Sequence, residues 1–282
     1  MRIALCLFGI PRCSSVTIPS LEQQVIAPLK ACGELKVFYH LYQQDQVVNP
    51  RSGEQGSLEP ENYAFIRDYE GLLESPMDGP DQALAAELSA FGNAFDDQGG
   101  SLKNLLLQLH SLKRVTGLAQ AWGPDVCAFA RPDLLYHDPW PLAIIRHAAR
   151  HPLACAIPDW QWWSGRNDRF AICGRGIYAT YGRRLERGLA YCQQGPRPLA
   201  PETLLRFVLL ESKAEVLGMP VRATRVRLQG RLEFEEFGAG KRAGKGLRCQ
   251  LAMRLAQARY RWALLKDAWQ GKRAEEARHD EG

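Results

Sequence analysis

Apolar and polar positions fall into short, nearly continuous hydrophobic runs separated by longer amphipathic stretches. Arg2 to Phe8 is apolar after its first residue, and predicts a strand buried on both faces. A loop from Gly9 to Ser15 follows, and Pro19 is then expected to open a helix to about Ala31 with Leu21, Val25, Ile26 and Leu29 on one face. Leu35 to Leu41 repeats the strand pattern, so the opening is a βαβ unit with parallel strands. Gln43 to Pro60 is polar and predicts a surface loop, while Tyr63 to Leu73 fits strand and helix alike. Asp81 to Phe91 is helical in pattern. Ser101 is expected to cap a helix to about Trp122 with Leu102, Leu105, Leu106, Leu109, Leu112 and Val115 as its stripe.

The second half repeats the alternation. Val126 to Ala130, Leu153 to Ile157, Phe170 to Cys173 and Val221 to Leu228 read as strands. Pro141 to Arg150, Ile177 to Cys192 and Thr203 to Leu217 read as helices. This order predicts an α/β fold, a mostly parallel sheet flanked by helices, over residues 1–230. Residues 231–282 are expected to form a basic helical C-terminal extension.

Composition changes this picture little. The 282 residues are 46% hydrophobic and 24% charged, ordinary globular values. No run approaches the length of a membrane-spanning helix, and the opening apolar run has no small-residue cleavage site after it. The eight cysteines form no Cys-x-x-Cys pair; a zinc site of that kind is not expected, and a reducing cytoplasm is. The net charge of +5 gathers near the C-terminus. Lys241, Arg242, Lys245, Arg248, Arg254, Arg259, Arg261, Lys266, Lys272 and Arg273 face one acid there, Asp267, and mix with Tyr260, Trp262 and Trp269. Such a helix suits an anionic membrane surface, at about 1 kcal/mol per cation, or else packs on the domain. No nucleic-acid-binding motif is present, and nucleic acid is not expected as a partner.

Candidate chemistry lies at strand ends, where open α/β sheets bind ligands. Gly9 permits close backbone approach, and Arg12 offers a bidentate donor to phosphate. Pro132 ends the strand before it, presenting Arg131 and Asp133. Asp133 is a candidate for a sugar hydroxyl or a divalent metal, Arg131 for a diphosphate. Trp162 and Trp163 beside Asn167, Asp168 and Arg169 suit a sugar ring, with aromatic stacking on its C–H face and polar groups at its hydroxyls. Glu202 opens a helix and is either a dipole partner or a general base. The plainer alternatives are a core tryptophan cluster and a strand-end ion pair. His40 and His110 read as structural, and His137, His147 and His151 have no metal-ligand spacing.

Together, the stretch from Arg2 to Arg12, Val37-Phe38-Tyr39-His40, Arg131-Pro132-Asp133-Leu134, Asn167-Asp168-Arg169-Phe170 with Tyr178 and Tyr181, and Pro201-Glu202 before an apolar helix resemble a group of bacterial glycosyltransferases of surface-polysaccharide synthesis. The resemblance implies a GT-A-like fold, a nucleotide-sugar donor and a glycan or lipid-linked acceptor; the cysteine usage and the basic tail add the expectation of a cytoplasmic protein, peripheral at the inner membrane face. It puts Gly9 and Arg12 near the donor nucleotide, and Arg131 and Asp133 where related folds carry Asp-x-Asp with Mn²⁺ or Mg²⁺. Asp168 and Glu202 become the candidates for the acceptor-side base. Ile10 departs from the polar residue expected after Gly9, and Arg131 from the first Asp of the metal motif. Gly9 to Ser15 is also reminiscent of a phosphosulfate-binding loop, which keeps a sulfotransferase-like enzyme as the alternative. A non-enzymatic membrane-surface adaptor is the third reading.

Overall fold

The computed structural model describes residues 1–49, 52–95, 97–237 and 247–279. The first strand, β1 (Arg2–Gly9), leads into helix α1 (Ser14–Leu21), a wider turn over Glu22–Ile26, and helix α2 (Ala27–Cys32). The helix therefore starts ahead of Pro19, which sits inside α1 instead of opening it. Proline removes one helical N–H, and the next turn widens to accommodate the break. Strand β2 (Glu34–Tyr42) returns parallel to β1, with Arg2 opposite Glu34 and Gly9 opposite Leu41, as the βαβ pattern predicts.

The polar stretch after β2 contains a hairpin, β3 (Gln46–Asn49) with β4 (Glu54–Ser57), in place of the expected loop. Val47 and Leu58 bury the hairpin, so two apolar residues in a polar run outweigh its composition. The ambiguous stretch resolves into a tight turn over Pro60–Ile66 and strand β5 (Glu70–Glu74), parallel to β2. Helix α3 (Gln82–Ser89) precedes the long helix α4 (Gly100–Trp122). Ser101 is not its cap: Gly99 takes that position at φ 85°, and the Asp97 carboxylate accepts the Ser101 N–H at 2.8 Å.

Strands β6 (Val126–Ala130) and β7 (Leu134–Tyr136), helix α5 (Leu142–Arg150) and strand β8 (Ala154–Pro158) follow. Strand β9 (Ala171–Gly174) runs antiparallel to both β6 and β8. The predicted helix over Ile177–Cys192 is broken into α6 (Tyr178–Gly182), a tight turn, and α7 (Gly188–Gln193). Helix α8 (Pro201–Glu211) stops six residues short of expectation. Lys213 adopts φ 53° and the Ala214 N–H returns to the Leu209 carbonyl, which ends the helix. The apolar run after it becomes strand β10 (Glu215–Met219), parallel to β8. The late strand is only β11 (Ala223–Arg225), paired antiparallel with β7 outside the main sheet.

The main sheet has seven strands in the order β10-β8-β9-β6-β1-β2-β5, all parallel except β9. Alternation along β1 serves two cores. Ala4, Cys6 and Phe8 pack with α4, α6 and α8, while Ile3, Leu5 and Leu7 pack with Val25, Leu29 and α5. Cys6, Cys127, Cys155 and Cys173 are free thiols inside these layers, small core side chains as their place in apolar runs implies.

The C-terminal helix α9 (Leu247–His279) lies along the β10 edge of the sheet. It gives Met253 and Ala256 to one core, and Tyr260 and Ala263 to the other. Gly218 of β10 faces this helix, and an added Cβ there would stand 3.4 Å from Ala256 and 3.1 Å from Asp159. Of the basic tail, Lys241, Arg242 and Lys245 lie outside the described residues. Among the described residues, no helix is long and apolar enough to cross a membrane.

Candidate functional site

A cavity of about 880 Å³ opens at the carboxyl ends of β1 and β6. Gly9, Arg12, Arg131, Trp163, Asn167, Asp168, Arg169 and Glu202 all line it. Residues singled out from four separate stretches of sequence therefore meet in one place. Parallel packing explains part of this, because β1 and β6 end side by side: Leu7 pairs with Ala130. The reversed β9 explains the rest. Its preceding loop, not its following one, reaches that rim.

Asp133 lies beneath the floor, 2% exposed. Its Oδ1 accepts Arg131 Nε at 2.9 Å, and its Oδ2 accepts both Arg131 Nη2 at 2.8 Å and Arg12 Nη1. Burial pushes the Asp133 carboxyl up, but Arg131 and Arg12 outweigh it and hold the group well below the usual carboxylate range. Both oxygens are committed to guanidinium groups. This donor arrangement does not fit the expected Mn²⁺ or Mg²⁺ ligand, and Asp133 instead aims two arginines.

Asp168 is differently placed. Its Oδ2 accepts Gln108 Nε2 and Arg184 Nη2, each at 3.1 Å, and its Oδ1 has no hydrogen-bond partner among the described residues. Gln108 also accepts Arg131 Nη1 at 2.8 Å through its own oxygen. One amide thus couples the Arg-Pro-Asp corner to the Asn-Asp-Arg corner. Sequence reasoning missed Gln108, although a polar residue between Leu105 and Leu112 on the apolar stripe of α4 was the available signal. It also missed Arg184, which is fully buried and donates to the Tyr181 carbonyl as well as to Asp168.

The two tryptophans of the candidate sugar platform separate. Trp162 is fully buried and donates Nε1–H to the Pro158 carbonyl at 2.7 Å, so it is a core residue and not a ligand contact. Trp163 is 47% exposed on the cavity wall. Gln161, Trp163 and Ser164 have φ of 48°, 44° and 66°, an unusual density of left-handed backbone for side-chain-bearing residues. Such local strain persists where surrounding contacts hold it, and here the loop is anchored from both sides. Asn167 donates to the Trp160 carbonyl at 2.8 Å and accepts the Arg169 N–H at 3.1 Å, which makes it the loop's internal brace. Arg166 N–H bonds the Glu202 carbonyl at 2.8 Å. Gly165 permits this approach, because an added Cβ would lie 2.1 Å from the Glu202 backbone.

The remaining wall comes from residues 225–236. Glu235 accepts Arg225 at 2.8 Å and Arg169 at 3.0 Å. Glu54 of the β3–β4 hairpin accepts Arg227 Nη1 at 3.3 Å and the Leu228 N–H at 2.8 Å, and stands 3.3 Å from Arg12 Nε. Burial brings the Arg169 guanidinium down to about 10 despite Glu235, and its Nη1 is buried without a hydrogen bond among the described residues. Five guanidinium groups therefore ring the cavity, oriented by carboxylates behind them. The arrangement suits an anion with several oxygens and an attached ring or hydroxyl-bearing group.

The loop after β1 is set differently. The Gly9 N–H donates to Ser111 Oγ at 2.8 Å, and the Ser14 N–H at the start of α1 donates to the Asn62 side chain at 2.8 Å. These amides already have partners, which argues against a backbone cradle for a phosphosulfate. Comparison with known protein families and with curated proteins returned no match.

Proposed function

We propose that the protein is a glycosyltransferase that takes a sugar from a nucleotide-sugar donor in this cavity, within a GT-A-like version of the α/β fold. The observation that carries the reading is the meeting of Arg12, Arg131 and Arg169 with the Asp168 carboxylate and the exposed Trp163 around one pocket. In this reading the arginines bind the donor diphosphate. Trp163 stacks on the sugar or base. Asp168 takes the proton of the acceptor hydroxyl as its oxygen bonds the anomeric carbon and the bond to the diphosphate breaks. The guanidinium groups then stabilise the charge left on the departing diphosphate. Gln108 and Arg184 orient Asp168 through Oδ2 and leave Oδ1 for the acceptor. Glu202, on the same wall, assists on the acceptor side. No step is assigned to a metal at Asp133.

The acceptor is a glycan or lipid-linked sugar, which brings the protein to the inner face of a membrane. Leu251, Leu255, Trp262, Leu265 and Trp269 of α9 are each more than half exposed, with Arg254, Arg259 and Arg261 beside them. Their spacing of four, seven, three and four residues keeps them on one stripe, away from the buried Met253, Ala256, Tyr260 and Ala263. A cationic, tryptophan-bearing stripe of this kind suits anionic headgroups.

The decisive experiment is a thermal-shift and transfer panel of nucleotide sugars with phosphoadenosine phosphosulfate alongside. At least one nucleotide sugar should raise the melting temperature and be consumed. Asp168→Asn should lower turnover by about 100-fold or more while nucleotide affinity changes less than about twofold. Stabilisation by the phosphosulfate alone, or full turnover by the Asn variant, would overturn the reading.

A further inference from the structure

A second group of polar side chains lies behind the cavity, where β2, β5 and α4 meet. His40, Glu74 and His110 each bring one donor atom to within 4.8 Å of the others. The hydrogen bonds around them determine which nitrogen of His40 faces this point. Ser111 Oγ donates to the His40 carbonyl at 2.7 Å, so its one proton is used. It accepts the Gly9 N–H at 2.8 Å and must therefore also accept from His40 Nδ1, 3.0 Å away. His40 thus carries its proton on Nδ1, and Nε2 presents a lone pair.

That nitrogen is fully buried and lies 3.0 Å from Glu74 Oε2, yet off the line of an N–H···O bond. A buried lone pair facing a half-buried carboxylate oxygen at this distance suits a cation shared between them. The other Glu74 oxygen is taken by Arg114, at 3.1 Å from Nε, which leaves Oε2 turned toward the histidine. His110 Nδ1 lies 2.7 Å from the Tyr42 hydroxyl. Tetrahedral ligand atoms at ordinary Zn–N distances stand about 3.3 Å apart, close to the 3.0 Å between His40 Nε2 and Glu74 Oε2, and His110 comes within 4.8 Å of both.

We propose that His40, Glu74 and His110 form a binding site for a zinc-class divalent transition metal, with Ser111 and Tyr42 as the outer partners that orient the rings. Two imidazoles and one carboxylate select a borderline-soft ion over Mg²⁺. The ion would pin the ends of β2 and β5 to α4. Through Ser111 it would also fix Gly9, and through Tyr42 the wall of the cavity. The proposal does not depend on the glycosyltransferase reading.

His147, His151 and Glu215 make a second cluster at the opposite end of the sheet. There His147 Nε2 already makes a well-directed contact with Glu215 at 3.3 Å, and the two imidazoles stack at 4.0 Å. It lacks the unpaired buried nitrogen and serves as the internal control.

The test uses the full chain, stripped with a chelator and dialysed, then titrated with Zn²⁺, Co²⁺ and Mg²⁺ by calorimetry and thermal shift. One equivalent of Zn²⁺ should bind at micromolar concentration or tighter and raise the melting temperature, while Mg²⁺ does neither. Co²⁺ should give the visible bands of a low-coordinate nitrogen and oxygen site. His110→Ala and Glu74→Gln should each weaken Zn²⁺ binding by at least tenfold, and His147→Ala/His151→Ala should leave it unchanged. Either single variant suffices if the other fails to fold. No saturable Zn²⁺ binding, retained affinity in the folded single variants, loss of binding only in the double variant, or thiolate charge-transfer bands with Co²⁺ would overturn the assignment.

Discussion

Asp133 illustrates what a single residue can and cannot disclose. The sequence placed it at a strand exit beside Arg131, which is where it lies, but a carboxylate at a strand end reads equally as a ligand or as a brace. Its burial between Arg12 and Arg131 decides for the brace. Removing one partner of a buried ion pair costs about 3–5 kcal/mol, because the remaining charge is left uncompensated. Asp133→Ala is therefore expected to lose stability on that scale in urea unfolding, and any loss of activity would be indirect. Because the folded-state pKa of Asp133 is depressed, its stabilisation is complete above about pH 4 and is lost as the pH falls further. Asp133→Asn should flatten the acid limb of the stability profile, measured by circular dichroism between pH 5 and 2. Trp162 and Trp163 make the complementary point. They are adjacent and identical, and only backbone direction sends one into the core and the other to the cavity.

At the scale of elements, strands buried on both faces were the most legible, since a short apolar run has few other uses. Boundaries failed where a local conformation overrode propensity. Lys213 in a left-handed turn ended α8 and released β10, and two buried apolar residues turned a polar stretch into a hairpin. The loop over residues 159–169 was recognised by its tryptophans, not by its shape, because left-handed backbone at Gln161, Trp163 and Ser164 has no side-chain signature. Gly165 is the test of that shape. Gly165→Ala sets a methyl against the Glu202 backbone at 2.1 Å, too close for side-chain adjustment to relieve. The loop must then leave α8. Nucleotide-sugar binding is expected to weaken at least tenfold, by calorimetry, while the remaining fold persists by circular dichroism.

For the whole molecule, α9 has two roles on two stripes, and only one was visible as charge and aromatic content. Its buried stripe closes the β10 edge, which the amino-acid pattern could not reveal without knowing that β10 exists. Deleting residues 247–282 should therefore yield aggregated protein in size-exclusion chromatography. Trp262→Glu with Trp269→Glu should leave the melting temperature within a few degrees and abolish sedimentation with phosphatidylglycerol vesicles; unchanged sedimentation would separate the helix from membranes. The reversed strand β9 has a different consequence. Where every strand runs one way, the useful side chains trail behind the strands that deliver them. Here one acid–base pair departs at the end of β6 and another arrives ahead of β9, so the two signatures are mirror images in chain order. A search for kindred chains should look for Arg-Pro-Asp after an apolar run and Asn-Asp-Arg before one, a polarity that pattern searches built on uniform strand direction would pass over.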